Sequence, residues 1–249
     1  MKSIFLAFLA ALIVLLSGCA TKEAQLERPK YVLSDFEPPD APYPLKVADP
    51  LSPVNRNLYR FNYNFDHYIF LPVVSGYEFI MPEYGQERVS NFFDNLGEFG
   101  NFTNGLFQLR FKSAGITISR FAINTTVGIA GLWDPATRWK LPRQHEDFGL
   151  TLGHYGVGDG PYLVLPVLGP SNLRDTGGLG TDAAIFYLVD PYNFDHNQNL
   201  VLPYYLGKAI DARHRQSFRY YASGSPFEYE LVRLLYTEKR KMDIARRAR

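Results

Sequence analysis

Few reactive side chains in this 249-residue chain are spaced for catalysis. His145, Glu146 and Asp147 stand together, with His154 and Asp175 near in sequence, a set from which acid–base or zinc chemistry could be built. The zinc motif H-E-x-x-H fails, because Gly149 stands where the second histidine belongs. Serine hydrolysis on a strand-to-helix elbow needs G-x-S-x-G, and no such pentapeptide occurs. Gly153, Gly156, Gly158 and Gly160 invite a phosphate cradle, but they do not give G-x-G-x-x-G, and no Lys-Ser/Thr follows. The sequence therefore reads as having no catalytic residue, no metal site and no cofactor. Its histidines and carboxylates read as loop residues or helix caps, and its glycines as positive-φ positions or points of close approach.

The one cysteine, Cys19, carries a different chemistry. Lys2 and the apolar run Ile4 to Leu16, 13 residues long, have the proportions of a signal peptide and are shorter than the roughly 20 residues of a spanning helix. The run Leu16-Ser17-Gly18-Cys19 resembles a bacterial lipobox, which implies cleavage before Cys19 and three acyl chains upon it. Two chains already anchor a protein stably, at about 0.8 kcal/mol per buried CH₂. Ala20, rather than Asp, follows the cysteine and favours the outer membrane. With Cys19 lipidated, no disulfide or thiolate site remains.

The formal charge of +1 gives no reason to expect a nucleic-acid partner. Aromatics are 15% of residues, suiting a core and a lipid surface equally. Four segments follow: a signal peptide (1–18), a lipidated N-terminus and Pro-rich linker (19–48), a helical domain (49–238) and a basic tail (239–249). The linker holds Pro29, Pro38, Pro39, Pro42 and Pro44 and spans roughly 30 Å as a flexible chain.

The domain opens on Ser52-Pro53, where Ser52 can cap a helix. Val54, Leu58, Phe61, Phe65, Tyr68 and Ile69 recur at three and four, with Asn55, Arg56, Arg60, Asn62, Asn64 and Asp66 opposite, and the apolar stripe is expected to pack on a core. Pro72 and Pro82 are expected to cut the next stretch into short helices. A further helix runs through Val89 and Leu96, to be broken by Gly97 and Gly100. Ser113 to Trp133 is almost continuously apolar, yet Arg120, Asn124, Thr125 and Thr126 make a free-standing span improbable; a buried helix, or one lining a wet cavity, fits better. Asp134-Pro135 caps a short helix. Nine of the 20 glycines fall between Gly149 and Gly180, and Tyr162 to Val167 is a short or edge strand limited by Pro166. Asp182 to Val189 reads as helix, and Ser225-Pro226-Phe227-Glu228 is a capping box opening a helix through Leu231, Leu234 and Leu235. The fold class is all-α with a glycine-rich loop or short hairpin.

Several segments together resemble the MlaA (VacJ) lipoprotein family. They are Asp49-Pro50-Leu51 with Asn55-Arg56; Ser90-Asn91-Phe92 with Asn95-Leu96; Arg120-Phe121 with Asn124-Thr125, Gly128, Gly131-Leu132 and Asp134; and the run Asp147 to Tyr162, continuing through Leu165-Pro166 and Gly169-Pro170-Ser171 to Arg174-Asp175. The match covers roughly Asp49 to Pro191. The resemblance implies a disc-like helical protein within the inner leaflet of the outer membrane. It implies an amphipathic channel that takes stray phospholipid from the outer leaflet and passes it to a soluble periplasmic carrier of the Mla pathway. Porin trimers are the implied neighbours, and no bond is broken.

A headgroup crossing hydrocarbon needs a polar path. Arg120, Asn124, Thr125, Thr126 and Arg174 are the candidates for it, although Arg174 and Asp175 could simply neutralise each other. Gly153, Tyr155, Gly156, Gly158, Gly160 and Tyr162 are the candidates for a turned or gating element at the channel mouth. The competing functions are a porin-binding lipoprotein without transport and a phospholipid hydrolase.

Overall fold

The computed structural model describes residues 47–193 and 197–247. The signal segment, Cys19 and nearly all of the linker lie outside the described residues. The linker's last two residues, Val47 and Ala48, already belong to the fold: the Ala48 carbonyl accepts from the Tyr162 amide, and Val47 packs on an aromatic cluster.

Helix α1 (Ser52–Phe65) passes through one π turn, Asp66–Phe70, into α2 (Leu71–Ile80). Pro72 has no N–H and crowds the carbonyl four residues back. The wider turn just before it takes up that misfit, so this proline does not break the helix as expected. Ser52 lies inside α1 and its hydroxyl accepts from Arg56, while Leu51 holds the cap position.

Pro82 starts α3 (Glu83–Phe107), whose 25 residues run straight through Gly97 and Gly100. A helical glycine costs about 1 kcal/mol against alanine without stopping the ladder, and α3 is pinned by buried Gln86, Asn95, Glu98 and Asn104. Its partner α4 (Phe111–Thr126) is shorter than the apolar run suggests. Ile129, Ala130 and Gly131 take positive φ and turn the chain back through Trp133. Asp134 caps α5 (Pro135–Arg138), accepting from the Thr137 amide, and Asp147 caps α6 (Phe148–His154) in the same way at Leu150.

Strands β1 (Tyr162–Leu165) and β2 (Gly169–Asn172) form an antiparallel hairpin in the register Tyr162↔Asn172. The expected short strand is present, within a mainly helical fold. Helix α7 (Leu173–Val189) starts well before Asp182 and includes Gly177, Gly178 and Gly180. At Gly178 a Cβ would lie 2.3 Å from the Gly149 amide nitrogen, so α6 and α7 touch backbone to backbone. Helix α8 (Gln198–His214) had no clear sequence signal, and α9 (Glu228–Arg247) closes the fold. Glu228 does not close a capping box on Ser225; it accepts from the amides of Tyr221 and Ser223 and from the Tyr59 hydroxyl. The basic segment from residue 239 is likewise no separate tail, because α9 continues to Arg247 and Arg240 is buried.

The helices are amphipathic in the expected period but face the other way. In α1, Val54, Phe61, Tyr68 and Ile69 are exposed while Asn55, Asn62 and Asp66 are buried. In α9, Leu231, Leu235 and Met242 are outside while Glu228, Glu230, Arg233 and Arg240 are inside. Among the described residues, 23 buried side chains are polar or charged and only 8 are hydrophobic. An ordinary water-soluble interior has the opposite bias.

Satisfied polar groups make this inversion possible. The Asn55 amide donates to the Tyr162 carbonyl and accepts from the Val164 amide; one heptad on, Asn62 donates to the Leu165 carbonyl and accepts from the Val167 amide. Two asparagines thus bind strand β1 as another strand would. The small apolar core beside them is Tyr59, Tyr162, Val164 and Tyr229, with the rings of Tyr59 and Tyr229 edge to face at 5.6 Å.

Candidate functional site

Arg120 is the hub of the interior between α3, α4 and α5. It is 1% exposed, and it donates to Glu98 at 2.7 Å, Asp134 at 3.0 Å, the Thr137 hydroxyl and the Leu141 carbonyl. Burial works against its charge, but the hydrogen bonds with Glu98 and Asp134 prevail and its pKa is raised. Burial alone would likewise raise Asp134, yet the Thr137 and Arg120 hydrogen bonds hold it well below the usual carboxylate range. Asp134 also accepts from Arg143, which reaches Asp94, and Asp94 accepts from Arg215 at 2.8 Å. Asn124 donates to Asp134 and accepts from the Ala136 amide.

Arg120 and Asn124, expected as candidates for a wet wall, are in this conformation both closed inside an ion-pair network. Thr125 and Thr126 are exposed; Thr125 accepts from Asn95, and Thr126 donates to its own helix at Ala122.

A second network joins α6, α7 and α9. Arg174 donates to Asp159 at 2.6 Å and to Asp175, and Arg240 donates to both Asp175 and Asp147. Tyr236 adds a third donor to Asp175. Burial pushes the Asp175 pKa up, but Arg240, Tyr236 and Arg174 together bring it below its ordinary value. Arg174 and Asp175 thus pair with each other, and Arg174 is buried. Glu146 is held by Arg110 and Arg247, and Asp147 caps α6 and pairs with Arg240.

The six residues considered for gating divide. Gly153 is helical and packed under Ile244, and Tyr162 is 1% exposed in the aromatic core. Tyr155, Gly156, Gly158 and Gly160 form a surface turn, with φ +85° at Gly156 and +68° at Gly160. The Tyr155 hydroxyl donates to the Phe107 carbonyl at 2.5 Å, tying this turn to the end of α3.

A cavity of about 480 Å³ opens where α3 meets the turn Val127–Trp133 and α5. Arg88 and Arg138 supply its cationic lining, Glu87 and Asp134 its carboxylates, and Val127 and Trp133 its apolar wall. Among the described residues, no group of three or more His, Cys, Asp or Glu could hold a metal ion, and no helix is long and apolar enough to cross a membrane.

A family model described as MlaA lipoprotein matches residues 47–243. The chain belongs to the MlaA lipoprotein family. An uncharacterized protein of Rickettsia felis is 40% identical over 155 residues, covering 61% of this chain and 60% of that protein. The intermembrane phospholipid transport system lipoprotein MlaA of Escherichia coli is 41% identical over 135 residues, 53% of this chain and 54% of its own. A chain solved in work on the structural basis for maintenance of bacterial outer membrane lipid asymmetry is 32% identical with a TM-score of 0.60, covering 79% of this chain and 99% of that one. The chain spans about 60% of the length of the first of these curated relatives.

The MlaA-like segments of the sequence coincide with the interior networks. Asp49, Asn55, Asn95, Arg120, Asn124, Asp134, Asp147, Arg174 and Asp175 all hold buried or half-buried hydrogen bonds. Sequence reasoning missed Glu98, Arg240, Arg88 and Arg138. A lone Glu among the glycines of α3 was the available signal for the first, and nothing local marks the cavity arginines.

Proposed function

We propose that this protein is an outer-membrane lipoprotein that removes mislocalised phospholipid from the outer leaflet and passes it to a soluble periplasmic carrier. The observation that carries the reading is the inverted architecture. Phe79 is 91% exposed, Leu188 80% and Ile80 79%, while arginines and carboxylates fill the inside. Exposed apolar surface on this scale marks a partner or a membrane. Hydrocarbon is the medium in which such a surface costs nothing and a paired polar interior is required. With no spanning helix among the described residues, burial in one leaflet fits better than crossing two.

Membership of the MlaA family and a relative named for intermembrane phospholipid transport support the same function. Porin trimers are the proposed neighbours in the membrane, and triacylated Cys19 the proposed sorting signal. The surface turn Tyr155–Gly160 is the proposed mouth element, since it exposes glycines beside a helix end. No hydrolytic constellation is assembled among the described residues, so we propose transport without bond cleavage.

The test is to quantify phospholipid in the outer leaflet, with its breakdown products, in cells lacking the chain. Intact phospholipid should accumulate. Unchanged asymmetry would instead support a porin-binding scaffold, and loss of lysophospholipid would support a hydrolase.

A further inference from the structure

The cavity between α3 and α5 is the place where the apolar exterior meets the charged interior. Its wall residue Val127 is 58% exposed, and Ile129, two residues on, is 61% exposed. Its floor residue Asp134 is the carboxylate that holds Arg120. Arg88 is fixed in this wall: its guanidinium lies over the rings of Tyr84 and Trp133, 4.7 and 5.6 Å from the centroids, and pairs with Glu87 at 2.5 Å. Its buried Nε nevertheless has no hydrogen-bond acceptor. Arg138, in the last turn of α5, is exposed and has no ion pair among the described residues. One cation is thus uncompensated, beside a second that is held over two aromatic rings and against an aliphatic wall. An arginine fork matches phosphate oxygens.

We infer that this cavity is a phosphodiester site for the headgroup of a glycerophospholipid, with Arg138 and Arg88 facing the phosphate and Val127 and Trp133 facing the glycerol and the first acyl carbons. Its volume of about 480 Å³ suits a headgroup with its glycerol, and two whole acyl chains would have to remain outside. Lipid would thereby be held at the edge of the polar interior before it is passed on. This inference rests on the transport reading above and assigns a binding point within it.

Trp133 reports on the site. The chain has two tryptophans, so Trp139→Phe, at an exposed position, leaves Trp133 as the sole emitter. The full lipidated protein in maltoside micelles is titrated with dihexanoylphosphatidylethanolamine, with dihexanoylglycerol and with inorganic phosphate. The phospholipid should shift Trp133 emission saturably, and Arg138→Gln should weaken that binding by about tenfold, the loss of one charge-assisted contact. Arg138 is exposed, so this variant keeps the fold; Arg88→Gln should weaken binding further. An equal response to dihexanoylglycerol, or unchanged affinity in Arg138→Gln, overturns the site. Inorganic phosphate binding as tightly as the phospholipid makes it a free-anion site and overturns the lipid assignment. The same variants are then scored in cells for outer-leaflet phospholipid. If deleting the chain raises that phospholipid while Arg88→Gln/Arg138→Gln cells match the wild type, the cavity assignment fails and the transport reading stands. If deletion itself changes nothing, the transport reading fails.

Discussion

Arg120 reaches its place because two carboxylates wait there, one on α3 and one at the cap of α5. Taking the cation away leaves Glu98, itself 1% exposed, charged and unpaired. Arg120→Met should therefore cost about 3–5 kcal/mol of unfolding free energy. Glu98→Gln added to it should restore part of that loss, as read by denaturant titration in micelles. Acid should act on the same pairs. Asp134 and Asp175 both have depressed pKa values in the fold, so their contribution is complete above the unfolded value, roughly 3.9, and is lost as pH falls from there toward the folded values. Stability should be flat from neutral pH to about 5 and fall below about 4, and Asp134→Asn should blunt the fall; a midpoint series across pH 3–7 checks it. Arg120 and Asn124 are legible in the sequence as polar residues out of place on an apolar run. Their partners are not, because Glu98 lies 22 residues away on another helix and only the α3–α4 packing joins them.

At the scale of elements, the three-and-four spacing in α1 and α9 shows which side chains share a face, but it does not show which medium that face meets. A period of 3.6 has the same form in water and in lipid. The inside of this molecule is thus written in the sequence as a polar stripe and naturally reads as the outside. The caps at Asp134 and Asp147 depend on neighbours in sequence and are legible for that reason, and the strand at Tyr162 shows in its own apolar run although Asn55 and Asn62 hold it from afar. The glycines are not. Gly178→Ala would drive a Cβ into the Gly149 backbone and should destabilise by about 1–3 kcal/mol, with α6 and α7 losing amide-exchange protection first. At Gly97 and Gly100 nothing lies within 4 Å of a new Cβ, so Gly97→Ala and Gly100→Ala should each stabilise α3 by about 0.5–1 kcal/mol in the same titration.

Across the whole molecule, exposed apolar side chains should hold the protein in lipid without help from acylation. A Cys19→Ser chain is expected to be missorted in cells, yet its purified form should float with phospholipid vesicles. Phe79→Asp and Ile80→Asp, at the two most exposed large hydrophobic residues of α2, should each lower that partitioning by about tenfold, at about 1.5–3 kcal/mol per buried side chain. A monodisperse Cys19→Ser protein that ignores vesicles would leave the proposed acyl chains as the sole membrane contact.

Helix α9 brings Arg233 to Asp49, Arg240 to Asp147 and Asp175, Arg247 to Glu146, and Glu228 to Tyr59. In chain order those acceptors come first, and their counter-charges come only with α9. Until then at least four carboxylates lack cations they have in the finished fold, and closing the interior around them is prohibitively costly. The interior is consequently expected to close only once α9 is in place, whatever the order in which the other helices form. A chain cut before Glu228 should accumulate as a protease-sensitive, chaperone-bound species and not as a smaller folded one.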